Sequence, residues 1–197
     1  MRKLPATFYR RDTTTVAREL LGKPLCRRLP DGRLLSARIV ETEAYLGVED
    51  AAAHSAGGRR TARTEIMYAD GGVAYVYLIY GLHFCLNAVT REAGRPEAVL
   101  IRAAAPLQGQ DYWQAELPHL KPAQWLSGPG RLCRALQIGR EENGLSLKSD
   151  ALWIADGEPV ADAAIAAGPR IGVDYAGEAA RWPLRFFVQG NASVSRG

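Results

Sequence analysis

Between Glu41 and Arg63 the chain reads ETEAYLGVEDAAAHSAGGRRTAR, which sets four carboxylates, Tyr45 and His54 ahead of an acid-free run carrying Arg59, Arg60 and Arg63. Such a set suits a carboxylate that takes a proton beside a bound polyanion, the arginines holding phosphate through their forked donors. A solvated polar loop is the plainer alternative. The tyrosines bear on the choice, because five of the eight, Tyr45, Tyr68, Tyr75, Tyr77 and Tyr80, fall between positions 45 and 80. Tyr75 and Tyr77 share one face of a strand, Tyr75 reading as an ordinary sheet residue, while Tyr80 precedes Gly81 at a turn and projects outward. An aromatic at a hairpin tip calls for a partner surface, and stacked bases offer one to a wedging side chain.

The elements that must position these groups follow from local signals. DTTTVARELLG predicts a short helix with Asp12 or Thr13 as cap, Val16, Leu20 and Leu21 on one face and Gly22 as stop. Pro30-Asp31-Gly32 divides two apolar stretches into a hairpin. Residues 46–67 form a long polar loop, VAYVYLIY and LHFCLNAV a second hairpin about Gly81, and EAVLIRAAA a buried strand. Helices are expected near 108–117 and 128–137, the second opening at Ser127-Gly128-Pro129, with late strands at ALWIA and PLRFFV. Adjacent hairpins predict an α+β fold, a single domain over residues 1–197 with a largely antiparallel sheet. Strict alternation puts Leu35, Ala37, Ile39, Glu41, Glu43 and Tyr45 on one strand face, apolar at its start and acidic at its end. On that pattern Glu43 and Tyr45 emerge where core gives way to a cavity, or else the strand leaves the core and the acids are solvated.

Composition excludes several classes. The 197 residues, 47% of them hydrophobic, can bury one core. Net charge is +4, with 21 Arg against Lys3, Lys23, Lys121 and Lys148, a bias that suits phosphate but that a GC-rich genome also produces. The opening MRKLPATFYRRD has no apolar h-region, and no apolar run nears the ~20 residues of a membrane span, so no membrane association and a cytoplasmic location are expected. Cys26, Cys85 and Cys133 are scattered, and with His54, His83 and His119 they supply no disulfide frame and no metal pattern.

RIVETEAYLG, AAAHSAGGRRT, YVYLIYGLHFCLN, AVLIRA, SGPGRLCRAL and RIGVDYAGEAARWPLRFFVQGN, in that order, resemble the successive motifs of the 3-methyladenine (alkyladenine) DNA glycosylases. The resemblance runs from Leu4 to the C-terminus. It implies one α+β domain with a curved antiparallel sheet, surrounding helices and a protruding hairpin. The implied reaction flips a damaged purine from duplex DNA and hydrolyses its N-glycosylic bond, leaving an abasic site for base-excision repair. The implied partner is double-stranded DNA containing damaged purines, met by a monomer working with the chromosome and needing no cofactor and no metal.

Carried over residue by residue, the resemblance makes Glu43 the general base for water attacking C1′ of the flipped sugar, Glu41 a structural neighbour, Arg102 a holder of that water and the adjoining phosphate, and the Ile171 carbonyl the water's third partner. Tyr45 and Tyr77 sandwich the extruded base, His54 meets its edge, and Asn87 faces its minor-groove side and obstructs guanine. Tyr80 fills the gap in the stack with Leu82 and His83 beside it, and Arg59 belongs to the DNA-contacting loop. Purines alkylated at N3 or N7 are cationic, stack well on tyrosine and leave as neutral bases. None of the four lysines falls in these motifs, which fits a hydrolase without a lyase step. Ala62 and Thr64 depart from the family's usual RTPRN, Ala104 and Ala105 replace its Leu-Glu pair, and Ala192 replaces its Pro. A non-catalytic nucleic-acid binder and a small-molecule nucleoside hydrolase are the alternatives: Glu43 argues against the first, Tyr80 and the arginine loop against the second.

Overall fold

Pro30-Asp31-Gly32 makes the turn its residues predict. Gly32 takes φ +89°, and β1 (Pro24–Arg28) and β2 (Leu34–Tyr45) run antiparallel on either side of it. The computed structural model describes residues 1–195. In it β2 is the hub of a curved antiparallel sheet, in which β3 (Ala74–Ile79), β4 (His83–Thr90), β5 (Glu97–Gln108), β2, β1 and β6 (Leu152–Ile154) lie side by side. The far half of β2 also pairs with β8 (Arg185–Val188), which in turn pairs with β7 (Ile165–Gly168).

Among the described residues four short helices cover this sheet: α1 (Ala6–Tyr9), α2 (Thr13–Glu19), α3 (Gln110–Glu116) and α4 (Pro129–Ala135). Asp12 caps α2 by accepting the Thr15 N–H at 2.9 Å, and Gly22 at φ +84° carries the chain away from it. At α4 the cap is Gly128 with Pro129 following, while the Ser127 hydroxyl donates instead to the Val194 carbonyl at 3.4 Å. One apolar cluster joins Leu4, Leu20, Ile39, Ile101, Leu132 and Phe186, so residues far apart in sequence share a core. Each such large side chain stabilises the fold by about 1.5–3 kcal/mol on leaving water. α1, β7 and the 3-10 segment Asp174–Arg181 have no counterpart in the sequence-based expectation.

The expected alternation along β2 fails, and the failure positions the site. Against β5, Ile39 faces Ala104 while Glu41 faces Ala103, so Val40 is an extra residue on β2; Thr42 then faces Ile101, so Arg102 is an extra residue on β5. Before the bulge Leu35, Ala37 and Ile39 point into the core; after it Ala44 joins the same cluster and Thr42 donates to the Ala17 carbonyl of α2 at 2.8 Å. Glu41, Glu43 and Tyr45 therefore face the opposite side from Ile39, where strict alternation had put them together. The two glutamates are not solvated either, since both are fully buried.

Residues 46–67 form three 3-10 turns, Gly47–Glu49, Ala56–Gly58 and Glu65–Tyr68. Their first part winds around buried Asp50, which accepts the Leu46 and Ala52 N–H groups, each at 3.0 Å, and pairs with buried Arg170. The second hairpin ends in the tight turn Tyr80-Gly81-Leu82, both Tyr80 and Gly81 at positive φ. Its stem rests on α4, where Gly130 lies so close to His83 that a Cβ added there would stand 3.0 Å from the histidine Cβ.

Candidate active site and DNA-facing surface

The bulged junction of β2 and β5 is the floor of the site. Glu43 presents Oε2 to the Tyr45 hydroxyl, which donates at 2.8 Å, and Oε1 to the Ile171 N–H at 2.8 Å. The Arg102 guanidinium stands 3.2 Å from the same Oε1. Burial raises the Glu43 carboxyl above its ordinary range, opposed first by Arg102 and then by the Ile171 and Tyr45 hydrogen bonds. The result is a carboxylate held by three donors, two side chains and one backbone group, in a place where water is scarce.

Those donors also line a cavity of about 260 Å³, which Tyr45, Tyr77, His54, Asn87, Arg102 and Ile171 wall. Tyr45 closes one side, with the Arg170 guanidinium 4.8 Å from its ring centre as a fixed backing. On the β3 side Tyr77 meets His54 edge-on, centroids 4.6 Å apart, and Arg63 stands 4.9 Å over the Tyr77 ring. His54 Nδ1 hydrogen-bonds the Tyr75 hydroxyl at 2.8 Å, so Tyr75, which the sequence presents as an ordinary sheet residue, orients the imidazole. Burial pushes the His54 pKa down to about 4, with Arg63 and Arg59 adding to the effect. A neutral ring is thereby fixed at the cavity wall at neutral pH. The Asn87 side-chain nitrogen donates to the Tyr75 carbonyl at 3.0 Å across the β3–β4 pair.

Past the cavity wall, to which Ile79 and Tyr80 contribute, the turn of the hairpin reaches into solvent. Tyr80 is 82% and Leu82 76% exposed, with His83 exposed beside them. The arginine loop divides its labour: Arg60 is held by Glu65 through contacts of 2.8 and 2.7 Å, and Arg63 lies over Tyr77. Arg59 is exposed and forms no ion pair among the described residues. Thr64, where the resembled family has Asn, is buried and ties the loop together, receiving the Thr61 N–H at 2.8 Å and donating to the Arg59 carbonyl at 3.2 Å.

The structure thus brings Arg102, Ile171, Tyr45, His54, Tyr77 and Asn87 to one cavity with Glu43 buried behind the first three, and Leu82, His83, Arg59 and Tyr80 to exposed positions, Tyr80 also lining the cavity. For Ile171 the contact seen is its N–H on Glu43, in addition to the carbonyl that the resemblance assigns to the water. Five neighbours were missed: Tyr75, Asp50 and Arg170 as a pair behind Tyr45, Arg185 beside Glu41, and exposed Tyr175 at the cavity mouth. Only Tyr75 had a local signal, its two-residue spacing from Tyr77. Among the described residues no helix is long and apolar enough to cross a membrane.

Comparison with known proteins bears on this geometry. The profile of the family described as methylpurine-DNA glycosylase matches residues 7–192. A protein of Desulfitobacterium hafniense, provisionally named 3-methyladenine DNA glycosylase, is 47% identical over 203 residues, covering 99% of each chain. Proteins of the same provisional name from Bdellovibrio bacteriovorus and Methanocella arvoryzae are 50% and 49% identical, each over 98% of this chain and over 98% and 96% of their own. A buried acid at an aromatic cavity, an exposed hairpin tip and a match along nearly the whole length agree: the chain belongs to the methylpurine-DNA glycosylase family.

Proposed function

We propose that this DNA N-glycosylase takes alkylated purines such as 3-methyladenine out of duplex DNA into the cavity and hydrolyses the N-glycosylic bond there, leaving an abasic site for base-excision repair. One observation carries the reading: a fully buried carboxylate, Glu43, is held by three donors that themselves line a cavity shared with Tyr77. The exposed Tyr80 tip beside that cavity supports duplex as the substrate.

In this mechanism Glu43 takes a proton from water, the hydroxide bonds to C1′, and the C1′–N bond breaks with its electron pair leaving on the base. An N3- or N7-alkylated purine departs neutral, so no acid has to protonate it. Arg102 contributes a fixed positive charge beside the reacting sugar and phosphate. Tyr45 and Tyr77 hold the base between them, His54 and Asn87 meet its edges, and Tyr80 with Leu82 and His83 occupies the space it left in the duplex. Arg59 contacts phosphate. No lysine lines the cavity among the described residues, which supports hydrolysis over a Schiff-base lyase step.

The test is strand scission of methylated duplex DNA after incubation with the protein. Breaks that appear only after alkali are expected. Breaks without alkali would replace the hydrolase with a lyase, and no breaks in either case would leave a binding protein. Release of base from free nucleosides at a comparable rate would favour a nucleoside hydrolase.

A further inference from the structure

Arg102 serves two carboxylates at once. Its Nη1 lies 3.2 Å from Glu43, while its Nε donates to Oε1 of Glu41 at 3.2 Å. Glu41 is fully buried two residues before Glu43 and, past the Val40 bulge, faces the same side. It has a closer cation of its own, since Arg185 Nε from β8 donates to the same Oε1 at 2.6 Å. The Ser195 N–H donates to Oε2 at 2.7 Å, and Arg102 Nη2 donates to the Ser195 hydroxyl at 3.4 Å. Two acids and two guanidiniums thus form one interlocked cluster of balanced charge in a buried place. A structural acid would need one cation; this one is placed to compete for the cation that Glu43 uses.

We propose that Glu41 is a positioning residue for excision: with Arg185 as its own counterion it fixes Arg102 and sets how strongly that guanidinium engages Glu43. The inference rests on Glu43 as the general base. If Arg185 satisfies Glu41, Arg102 remains free to hold Glu43 and a substrate phosphate; without Arg185, Glu41 draws Arg102 away. The groups facing Glu43 are Tyr45 on β2, Tyr77 on β3, Cys85 on β4, Arg102 on β5, Arg185 on β8 and Arg170 from the preceding loop, with Glu41 the one neighbouring acid among them. Arg102 lowers and Glu41 raises the pH at which Glu43 ionises.

Two substitutions should therefore move the acid limb of the single-turnover pH–rate profile in opposite directions. Glu41→Gln removes a negative charge, hands Arg102 to Glu43 and shifts the limb to lower pH by at least ~0.5 unit. Arg185→Gln lets Glu41 capture Arg102 and shifts the limb to higher pH by a similar amount. A merely structural Glu41 would lower the melting temperature or the plateau rate and leave the limb in place. Arg185, at the rim of the cluster, gives the second reading should Glu41→Gln fail to fold. An unmoved limb, or shifts in the same direction, overturns the proposal while leaving Glu43 as base if Glu43→Gln is inactive. Full excision by Glu43→Gln overturns both.

Discussion

The hairpin tip and the bulged junction are built on opposite terms. At the tip Tyr80 and Leu82 touch little of their own protein and stand largely in solvent. At the junction Glu41, Glu43 and Arg102 are buried and each shares its partners with the others. The difference separates two kinds of work: a residue with no internal contacts can be spent on DNA, whereas a residue that must keep one geometry is held from several sides. Truncation at the tip should therefore report on DNA alone, and truncation at the junction on chemistry, because the surrounding scaffold is over-determined.

The sharpest contrast is Glu43→Gln, which leaves the three donors in place but cannot accept a proton from water. Single-turnover excision should fall by about 10²- to 10⁴-fold with lesion-duplex binding retained in a mobility-shift assay. Substantial residual excision would remove the junction from the chemistry. Tyr77→Ala comes next, with a loss worth ~1–3 kcal/mol of base stacking that should be alike on matched duplex and on single-stranded lesion substrate. Tyr80→Ala should instead slow excision by roughly tenfold on matched duplex and much less on a bulged target, where less unstacking is needed. Equal loss on every substrate would mean that Tyr80 acts in the cavity it lines rather than in the duplex, and would erase the contrast.

Smaller effects refine the same division. Arg59→Ala should weaken binding to damaged and undamaged duplex equally and reduce the salt slope by about one; a slope left unchanged would show that Arg59 does not meet phosphate. His54 should be felt in stability. Its pKa lies near 4 when folded against an ordinary 6.5, so as pH falls through that window the unfolded chain binds a proton that the folded chain refuses. Stability should drop from pH 6.5 down to about 4 and level off below, and His54→Gln should flatten that acid-side slope in thermal melts. An unchanged slope would place the acid-sensitive group elsewhere.

What the sequence made legible was what neighbours decide. Asp12, Gly22, Pro30-Asp31-Gly32 and Gly81 declare a cap, a stop and two turns through their own conformational chemistry, and all four fall where expected. The long strands followed, and the family motifs carried the identities of the cavity residues. Hidden were the features decided by register. Whether Val40 is an extra residue depends on how β2 meets β5, some sixty positions later, and alternation within β2 holds no trace of it. Arg170 reaches Asp50, and Arg185 reaches Glu41, across more than a hundred residues, so no spacing announces either pair. The arginine run likewise looked free of acids until Glu65, just past its end, took Arg60.

The extra residue at Val40 has a genetic consequence. Substitution there changes one buried side chain, but loss of that single codon would shorten β2 by one pleat unit and restore the regular alternation that the bulge interrupts. Every residue after it would keep its face, because Ile39 and Glu41 already point to opposite sides: Thr42 and Ala44 would stay on the core side, and Glu43 and Tyr45 on the other. The reading frame would survive, Ile39 could still pair with Ala104 and Glu41 with Ala103, and the reactive groups would lie on the same side of a more regular strand. With Val40 present it is the bulge that turns Glu43 and Tyr45 away from the core side, so activity is encoded as much by how β2 meets β5 as by which residues they are.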